Sequence, residues 1–250
     1  MENSELTKKR YIDLSRMSYE RGIYTFTDFL TLAELSDFFE TTKSLYSNYS
    51  VFGGYEDAER CMVRFGSMDE LGYDTDFPIA CIKITPLQKK FAEELTHRDF
   101  LGSLMNLGIE RPKLGDIIIK DKEALLFAAE ALAPTICSEI TRIRHTSVLA
   151  TIVEASEVIP KREFKEELIQ IKSERIDAII AKTYNLSRSQ AQALFLQKKV
   201  FINGRIMENE SHNLKPDSVV SVRGFGRFIY DGESGTTKKG NVLAKIKKYV

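Results

Sequence analysis

Apolar spacing changes several times along the chain, and each change marks an expected element. Leu6, Ile12, Leu14 and Met17 recur loosely at helical intervals across residues 4–22, which predicts a first helix stopped by Gly22. Phe26, Phe29 and Leu30 follow as a hydrophobic anchor. Thr31 with Glu34 makes a capping box, and Leu32, Leu35, Phe38, Phe39 and Leu45 carry a helix to about Leu45. Gly53-Gly54 reads as a turn, Glu56 to Arg60 as a helical turn, Cys61 to Phe65 as a strand, and 66–77 as a loop or boundary. The glycine pair lacks the Lys-Ser/Thr of a phosphate-binding P-loop and the third glycine of a dinucleotide fingerprint.

From Pro78 the pattern turns to buried strands alternating with amphipathic helices. PIACIKI is a strand; Thr96 caps a helix with Asp99 as its acidic partner; Phe100, Leu101, Leu104 and Leu107 form that helix's apolar face up to Gly108. GDIIIK is a second strand, ALLFAA a third strand or the start of a buried helix, 130–140 a second helix near Pro134, and TSVLATIV a fourth strand. The order β-α-β-β-α-β is the ferredoxin-like arrangement, shared by many RNA-binding domains that stack bases on aromatics of their central strands. Neither IACIKI nor GDIIIK carries an aromatic, so base stacking on this sheet is not supported. A docking or spacer role, or phosphate contacts through Arg111-Pro112-Lys113 and Arg142/Arg144, fits better. Residues 154–166 read as a charged linker, and Leu168 to Lys172 as a strand.

The last third has a different rhythm. Ser173 is a candidate N-cap for a helix buried through Ile176, Ile179 and Ile180 and ending near Tyr184. Ser187 with Gln190 caps a second helix that buries Ala191, Leu194 and Phe195. Lys198 and Lys199 close it, Val200 and Ile202 begin a strand, Asn203-Gly204 is a tight turn with Arg205 at its exit, and Val219, Val220 and Val222 form the next strand. Arg188 falls in the first helical turn, where a cation faces the positive end of the helix dipole; an anion docking there would offset this. The tail TTKKGNVLAKIKKYV alternates enough for a final strand, its lysines either facing phosphate or guarding a sheet edge.

Charge sharpens the division. The net charge over 250 residues is zero, but residues 173–250 hold 14 Lys/Arg and 7 Asp/Glu, a net +7, against a net −7 in residues 1–172. A basic third on an acidic remainder is the footprint expected for binding a polyanion. Three widely spaced cysteines, Cys61, Cys81 and Cys137, include no CxxC pair and suit buried thiols. No apolar run reaches transmembrane length and the N-terminus lacks a signal-peptide core, so a cytoplasmic protein without membrane contact is expected.

RID at 175–177, SRSQA at 187–191, KVFING at 199–204 and KPDSVVSV at 215–222 resemble the S4 RNA-binding domain, which sets two helices on a small antiparallel sheet. The resemblance maps Arg175, Ser187, Arg188, Lys198, Lys199 and Arg205 to the RNA-facing side and Ala191, Leu194, Val200 and Ile202 to the core. Gln192 joins the expected RNA-facing set. Many such domains have glycine where Lys198 stands. With FGGYEDAER at 52–60, LTHRDFLGSLMNLGI at 95–109, GDI at 115–117 and RGFGRF at 223–228, nearly the whole chain is similar to the YlmH family of bacterial S4-domain proteins. This implies an α+β chain with an N-terminal α/β domain (1–77), a ferredoxin-like middle domain (78–160) and an S4 domain with a strand extension (167–250). It further implies binding to rRNA of large ribosomal subunits that carry an obstructed peptidyl-tRNA, in ribosome-associated quality control, and a gene-neighbourhood link to cell division. RGFGRFIY comes near an RNA-recognition signature, but Arg227 takes the fifth, aromatic position, so Arg223, Phe225 and Arg227 are expected on a glycine-flexed loop, with Phe225 able to stack on a base.

The enzyme classes that use S4 domains leave marks absent here. No HIGH-like or KMSKS-like motif is present, GFG at 224–226 lacks the setting of a methyl-donor loop, and Asp177 of RID reads as a structural helix-start carboxylate rather than a catalytic one. His97, His145 and His212 have no metal spacing. The expectation is a non-catalytic RNA-binding factor with no cofactor, no metal and no catalytic residue. Two alternatives remain: a division-linked protein whose acidic N-terminal two-thirds docks a protein partner, and an unrecognised RNA-modifying enzyme.

Overall fold

A computed structural model describes residues 2–56, 58–158, 164–237 and 240–249. They form two compact units, Met1–Ile159 and Pro160–Val250. Residues 159–163 of the expected linker, Asp57 and the tail residues Lys238 and Lys239 lie outside the described residues.

The first unit opens with α1 (Glu2–Arg21), stopped by Gly22 at φ 65°, where glycine escapes the Cβ clash of a left-handed residue. β1 (Thr25–Phe26) precedes α2 (Leu32–Thr41), whose capping box joins the Thr31 hydroxyl and Glu34 in both directions. β2 (Tyr49–Phe52) and β3 (Met62–Phe65) complete a three-stranded antiparallel sheet in the order β1-β3-β2. Tyr11, Phe38 and Phe65 fill the core between this sheet and the two helices. The described part of 56–60 is turn rather than helix, and the expected loop at 66–77 contains a short helix, α3 (Met68–Leu71), capped by Ser67. The strand expected from Cys61 begins one residue later, because Cys61 is spent on a bridge to Leu30.

β4 (Ile79–Pro86), α4 (His97–Asn106), β5 (Leu114–Lys120), β6 (Glu123–Ala129), α5 (Ala133–Glu139), β7 (Arg142–Ile143) and β8 (Thr146–Val153) follow, then α6 (Ala155–Val158). The sheet order β5-β6-β4-β8 is ferredoxin-like, with β7 added as a hairpin at the edge. ALLFAA is thus strand, and the second helix is entered through a 3₁₀ turn at Glu130–Leu132. Phe100 and Leu104 of α4 and Ala133 and Ile136 of α5 pack on Ile82, Ile84 and Leu126.

The opposite face of that sheet is covered by the N-terminal segment. The Tyr55 ring stacks on Phe127 of β6 at 4.9 Å, and Phe29 and Met62 join Cys81 and Leu125 there. FGGYEDAER makes this clamp. Gly54 has φ 97°, and a Cβ on it would lie 2.3 Å from Phe127 Cδ1. Tyr55 Oη, Glu59 N and Arg60 N all donate to the Asp116 carboxylate, at 2.8, 2.6 and 3.2 Å. Arg60 then donates to the carbonyls of Leu114 and Phe29. The motif is explained by packing and needs no ligand phosphate.

The second unit starts with β9 (Phe164–Ile171), four residues before the expected strand. α7 (Ile176–Thr183) and α8 (Arg188–Leu196) precede β10 (Val200–Ile202), β11 (Arg205–Ile206), β12 (Ser218–Val222), β13 (Gly226–Thr236) and β14 (Val242–Tyr249). The six strands pair antiparallel in the order β11-β10-β12-β13-β14-β9. The tail is therefore an interior strand, and β9 closes the far edge. Both helices bury one face on the sheet, with Ile176, Ile179, Ile180, Leu194 and Phe195 against Val200, Val220, Phe228, Tyr230 and Ile246. No helix among the described residues is long and apolar enough to cross a membrane.

Candidate nucleic-acid interface

The start of α7 differs from the sequence expectation. Its N-cap is Arg175, not Ser173. The free N–H groups of the first turn find partners in a neighbouring loop: Ile176 N donates to His212 O and Asp177 N to Glu210 O. That docking sets the helix start two residues beyond the serine. Asp177 then points inward, fully buried. Arg175 grips it with two parallel hydrogen bonds, Nε to Oδ1 at 3.1 Å and Nη2 to Oδ2 at 3.0 Å. Ala178 N also donates to it, and Arg188 Nε reaches Oδ2 from the first turn of α8 at 3.3 Å. Burial alone would raise the Asp177 carboxyl, but Arg175, Arg188 and the Ala178 N–H outweigh it and hold it below the ordinary carboxylate range. The anion beside Arg188 is thus supplied by the protein itself. Arg188 remains 62% exposed, so its guanidinium also faces solvent.

Ser187 and Gln190 form the capping box of α8, so the serine hydroxyl accepts from Gln190 N. Gln192 donates to Glu210 at 2.9 Å, and Arg175 lies 4.0 Å from the same carboxylate. Arg175 and Gln192 therefore meet at the Glu210 carboxylate, and Arg175 and Arg188 at Asp177, with Ser187 capping the helix that carries Arg188.

Of the remaining expected residues, Lys198 and Lys199 lie at the other end of α8, and Arg205, Arg223, Phe225 and Arg227 on the strands and turns that follow. Gln197 caps the helix and Lys198 takes a left-handed backbone, φ 52°. Lys198 N donates to Phe195 O and Lys199 N to Leu194 O, the paired bonds of a Schellman ending. The lysine therefore does the backbone work glycine does elsewhere, while its ammonium pairs with Glu208 at 2.7 Å on the surface. Asn203 and Gly204 both have positive φ, 49° and 78°, and make the tight turn that sets Arg205 opposite Ile202. The Lys199 carbonyl accepts from Arg223 N, and the Arg223 guanidinium lies over the Phe201 ring at 5.9 Å. Arg223, Gly224 and Phe225 form a turn between β12 and β13, not a stacking strand; Arg227 is on β13 and donates to Ser221 Oγ at 2.9 Å. Phe225 is 44% exposed and rests at 5.5 Å on Tyr184, whose own ring carries the Lys248 ammonium at 5.1 Å.

A cleft of about 720 Å³ opens beside α7. Lys172, Lys182 and Arg188 line it, with amide side chains from Asn185 and Asn241 and an apolar floor that includes Leu186. No Asp or Glu is among the described residues lining it. Three cations, amide donors and no carboxylate suit a sugar-phosphate chain.

Residues 73–157 match the family described as "Putative RNA-binding domain in YlmH". Residues 174–220 match the S4 domain. The chain is 26% identical over 229 residues to the "Ribosome-associated protein quality control protein P2" of Bacillus subtilis (strain 168), an alignment spanning 91% of this chain and 88% of the relative. The chain is thus similar to the YlmH family through both matched segments, 73–157 and 174–220. The "Cell division protein ylmH" from Streptococcus pneumoniae has a similar fold, with a TM-score of 0.52 and 20% identity over 63% of this chain and 95% of that one.

Of the cleft's three cations, the sequence expectation named only Arg188. Lys172 directly follows β9 and Lys182 lies in the last turn of α7, and neither stands in a motif. The signal for Lys182 is the charge imbalance of residues 173–250, which has no address, and Lys172 falls one residue before that stretch. In the middle domain the expected phosphate contacts divide. Arg111 is turned inward, donating to the carbonyls of Leu114 and Gly115, and burial beside the Arg60 guanidinium pulls it down to about 10. Lys113 pairs with Asp28 at 2.5 Å. Arg142 and Arg144 stay exposed.

Proposed function

We propose that this chain is a non-catalytic factor that grips rRNA of the large ribosomal subunit through its S4 unit, on subunits carrying an obstructed peptidyl-tRNA, in ribosome-associated quality control. The observation that carries this reading is the cleft lined by Lys172, Lys182 and Arg188 and by no carboxylate among its described residues, open beside the S4 helices. The near full-length similarity to a relative named for ribosome-associated quality control supports the setting. The expected set of Arg175, Ser187, Arg188, Gln192, Lys198, Lys199, Arg205, Arg223, Phe225 and Arg227 divides by role in this reading. Arg175 and Gln192 position the helix starts. Arg188 is the hinge between that network and the cleft. Lys199, Arg223 and Phe225 present a second contact, with Phe225 as the aromatic available to a base or ribose.

Gradient sedimentation tests the assigned face. Lys182→Glu combined with Arg188→Glu is expected to release the protein from large subunits, with an unchanged circular dichroism spectrum showing that loss of Arg188 from the Asp177 network leaves the fold intact. Unchanged co-sedimentation rejects the face. The acidic first unit favours a second reading, in which it docks a basic protein partner linked to cell division. Capture of that partner that survives nuclease treatment and is lost when acidic residues of this unit are neutralised supports it.

A further inference from the structure

The middle domain matches a family described as RNA-binding, yet the sheet face on which ferredoxin-like RNA-binding domains stack bases is closed here by Tyr55, Phe29 and Met62. Phe127 occupies a central strand, where an aromatic would serve a base, but it is fully buried under the Tyr55 ring. An RNA contact in this domain needs another platform.

One end of the same sheet has the required chemistry. β4 runs into Leu87 and a 3₁₀ turn at Lys89–Phe91, which presents the Phe91 ring 77% exposed. Among the described residues Phe91 is the most exposed aromatic, and neighbouring Leu87 is exposed beside it. The turn is fixed, not frayed: Leu87 N donates to Ser147 O, Glu93 N to Thr146 Oγ1 and Lys122 Nζ to Ala92 O. These bonds set Phe91 beside the β7–β8 hairpin. Phe91, Gln88 and His145 line a pocket of about 270 Å³ between the turn and the hairpin. Lys89 and Lys90 flank Phe91 on the turn, the Lys90 ammonium 5.8 Å from the Phe91 centroid, and Arg142 and Arg144 are exposed on the hairpin whose His145, Thr146 and Ser147 line the pocket. Acidic side chains temper this charge: Glu123 reaches Lys89 at 3.5 Å and Asp99 reaches Arg144 at 3.6 Å.

We infer that this end of the middle domain is a single-stranded RNA contact, with an unpaired base stacked on Phe91, the adjoining pocket beside it, and flanking phosphates held by Lys89, Lys90, Arg142 and Arg144. An exposed aromatic with cations on the same and neighbouring turns is the usual composition of a sequence-tolerant single-strand platform. The inference extends the RNA-binding reading to a second site that the S4 unit does not supply.

The test uses the full chain and a short fluorescent oligouridylate. Phe91→Ala is expected to weaken binding about fivefold or more, Phe91→Trp to retain it, and ultraviolet crosslinks to map to the peptide carrying Phe91. Because Phe91 is exposed, both variants should fold; an unchanged circular dichroism spectrum checks this. Equal affinity of wild type and Phe91→Ala, or crosslinks confined to the S4 unit, overturns the inference. So does loss of a protein partner by Phe91→Ala while oligouridylate binding is unchanged. Large-subunit binding by the Lys182→Glu/Arg188→Glu variant is scored separately: its persistence defeats the S4 reading and leaves the Phe91 platform standing or falling on the oligouridylate alone.

Discussion

Asp177 holds the helix starts together. It is a buried carboxylate shared by Arg175 and Arg188, and breaking such a group leaves charge without its partner. Asp177→Asn is expected to cost about 3 kcal/mol, the low end for a buried pair, because both arginines reach solvent. Its pH behaviour follows from the lowered carboxyl: the stabilisation is complete above the ordinary carboxylate range and disappears as pH falls through the folded value. Urea midpoints across the acid range should therefore fall more steeply for wild type than for Asp177→Asn; parallel curves would mean the carboxylate is not responsible. Tyr184 makes the opposite case. Its hydroxyl is buried with no hydrogen-bond partner among the described residues. Removing an unpartnered polar atom costs nothing, so Tyr184→Phe should melt no lower than wild type and gain up to about 1 kcal/mol. A clear drop in melting temperature would show that the hydroxyl is satisfied.

Elements whose signals are local were legible. The capping boxes Thr31/Glu34, Thr96/Asp99 and Ser187/Gln190 each need only four consecutive residues, and each fixes a helix start as expected. The ferredoxin-like order was legible because its strands are long apolar runs. What escaped depends on distant partners. Ser173 lost the N-cap because His212 and Glu210 supply acceptors further along. Arg111 reads as a surface cation until β5 offers it carbonyls. In the candidate site, Lys172 and Lys182 meet Arg188 only through the pairing of β9 with β14 and the packing of α7 on β9. The clamp over the middle sheet is the sharpest case, since Gly54 looks like plain turn chemistry and is a contact on Phe127. Gly54→Ala combines that overlap with a left-handed backbone and is expected to destabilise by about 3 kcal/mol. Thermal denaturation reads this directly, and a wild-type melting temperature would remove the clamp from the account.

At the scale of the molecule, charge is divided between two units that together cancel. A zero net charge hides a basic S4 unit able to recruit a polyanion and an acidic unit that repels one. The middle domain's usual base-stacking face is closed, which leaves the Phe91 end as its proposed RNA contact. Attraction at the S4 unit rests on a few phosphate contacts, and each phosphate neutralised releases counterions. The most direct measurement is therefore equilibrium binding to purified large ribosomal subunits as a function of salt. With roughly four to six contacts, log affinity should fall against log salt with a slope of about −3 to −5. Lys182→Glu with Arg188→Glu should weaken binding and flatten that slope by about 2. A salt-insensitive affinity, or a double variant with the wild-type slope, would contradict the claim that this cleft grips ribosomal RNA.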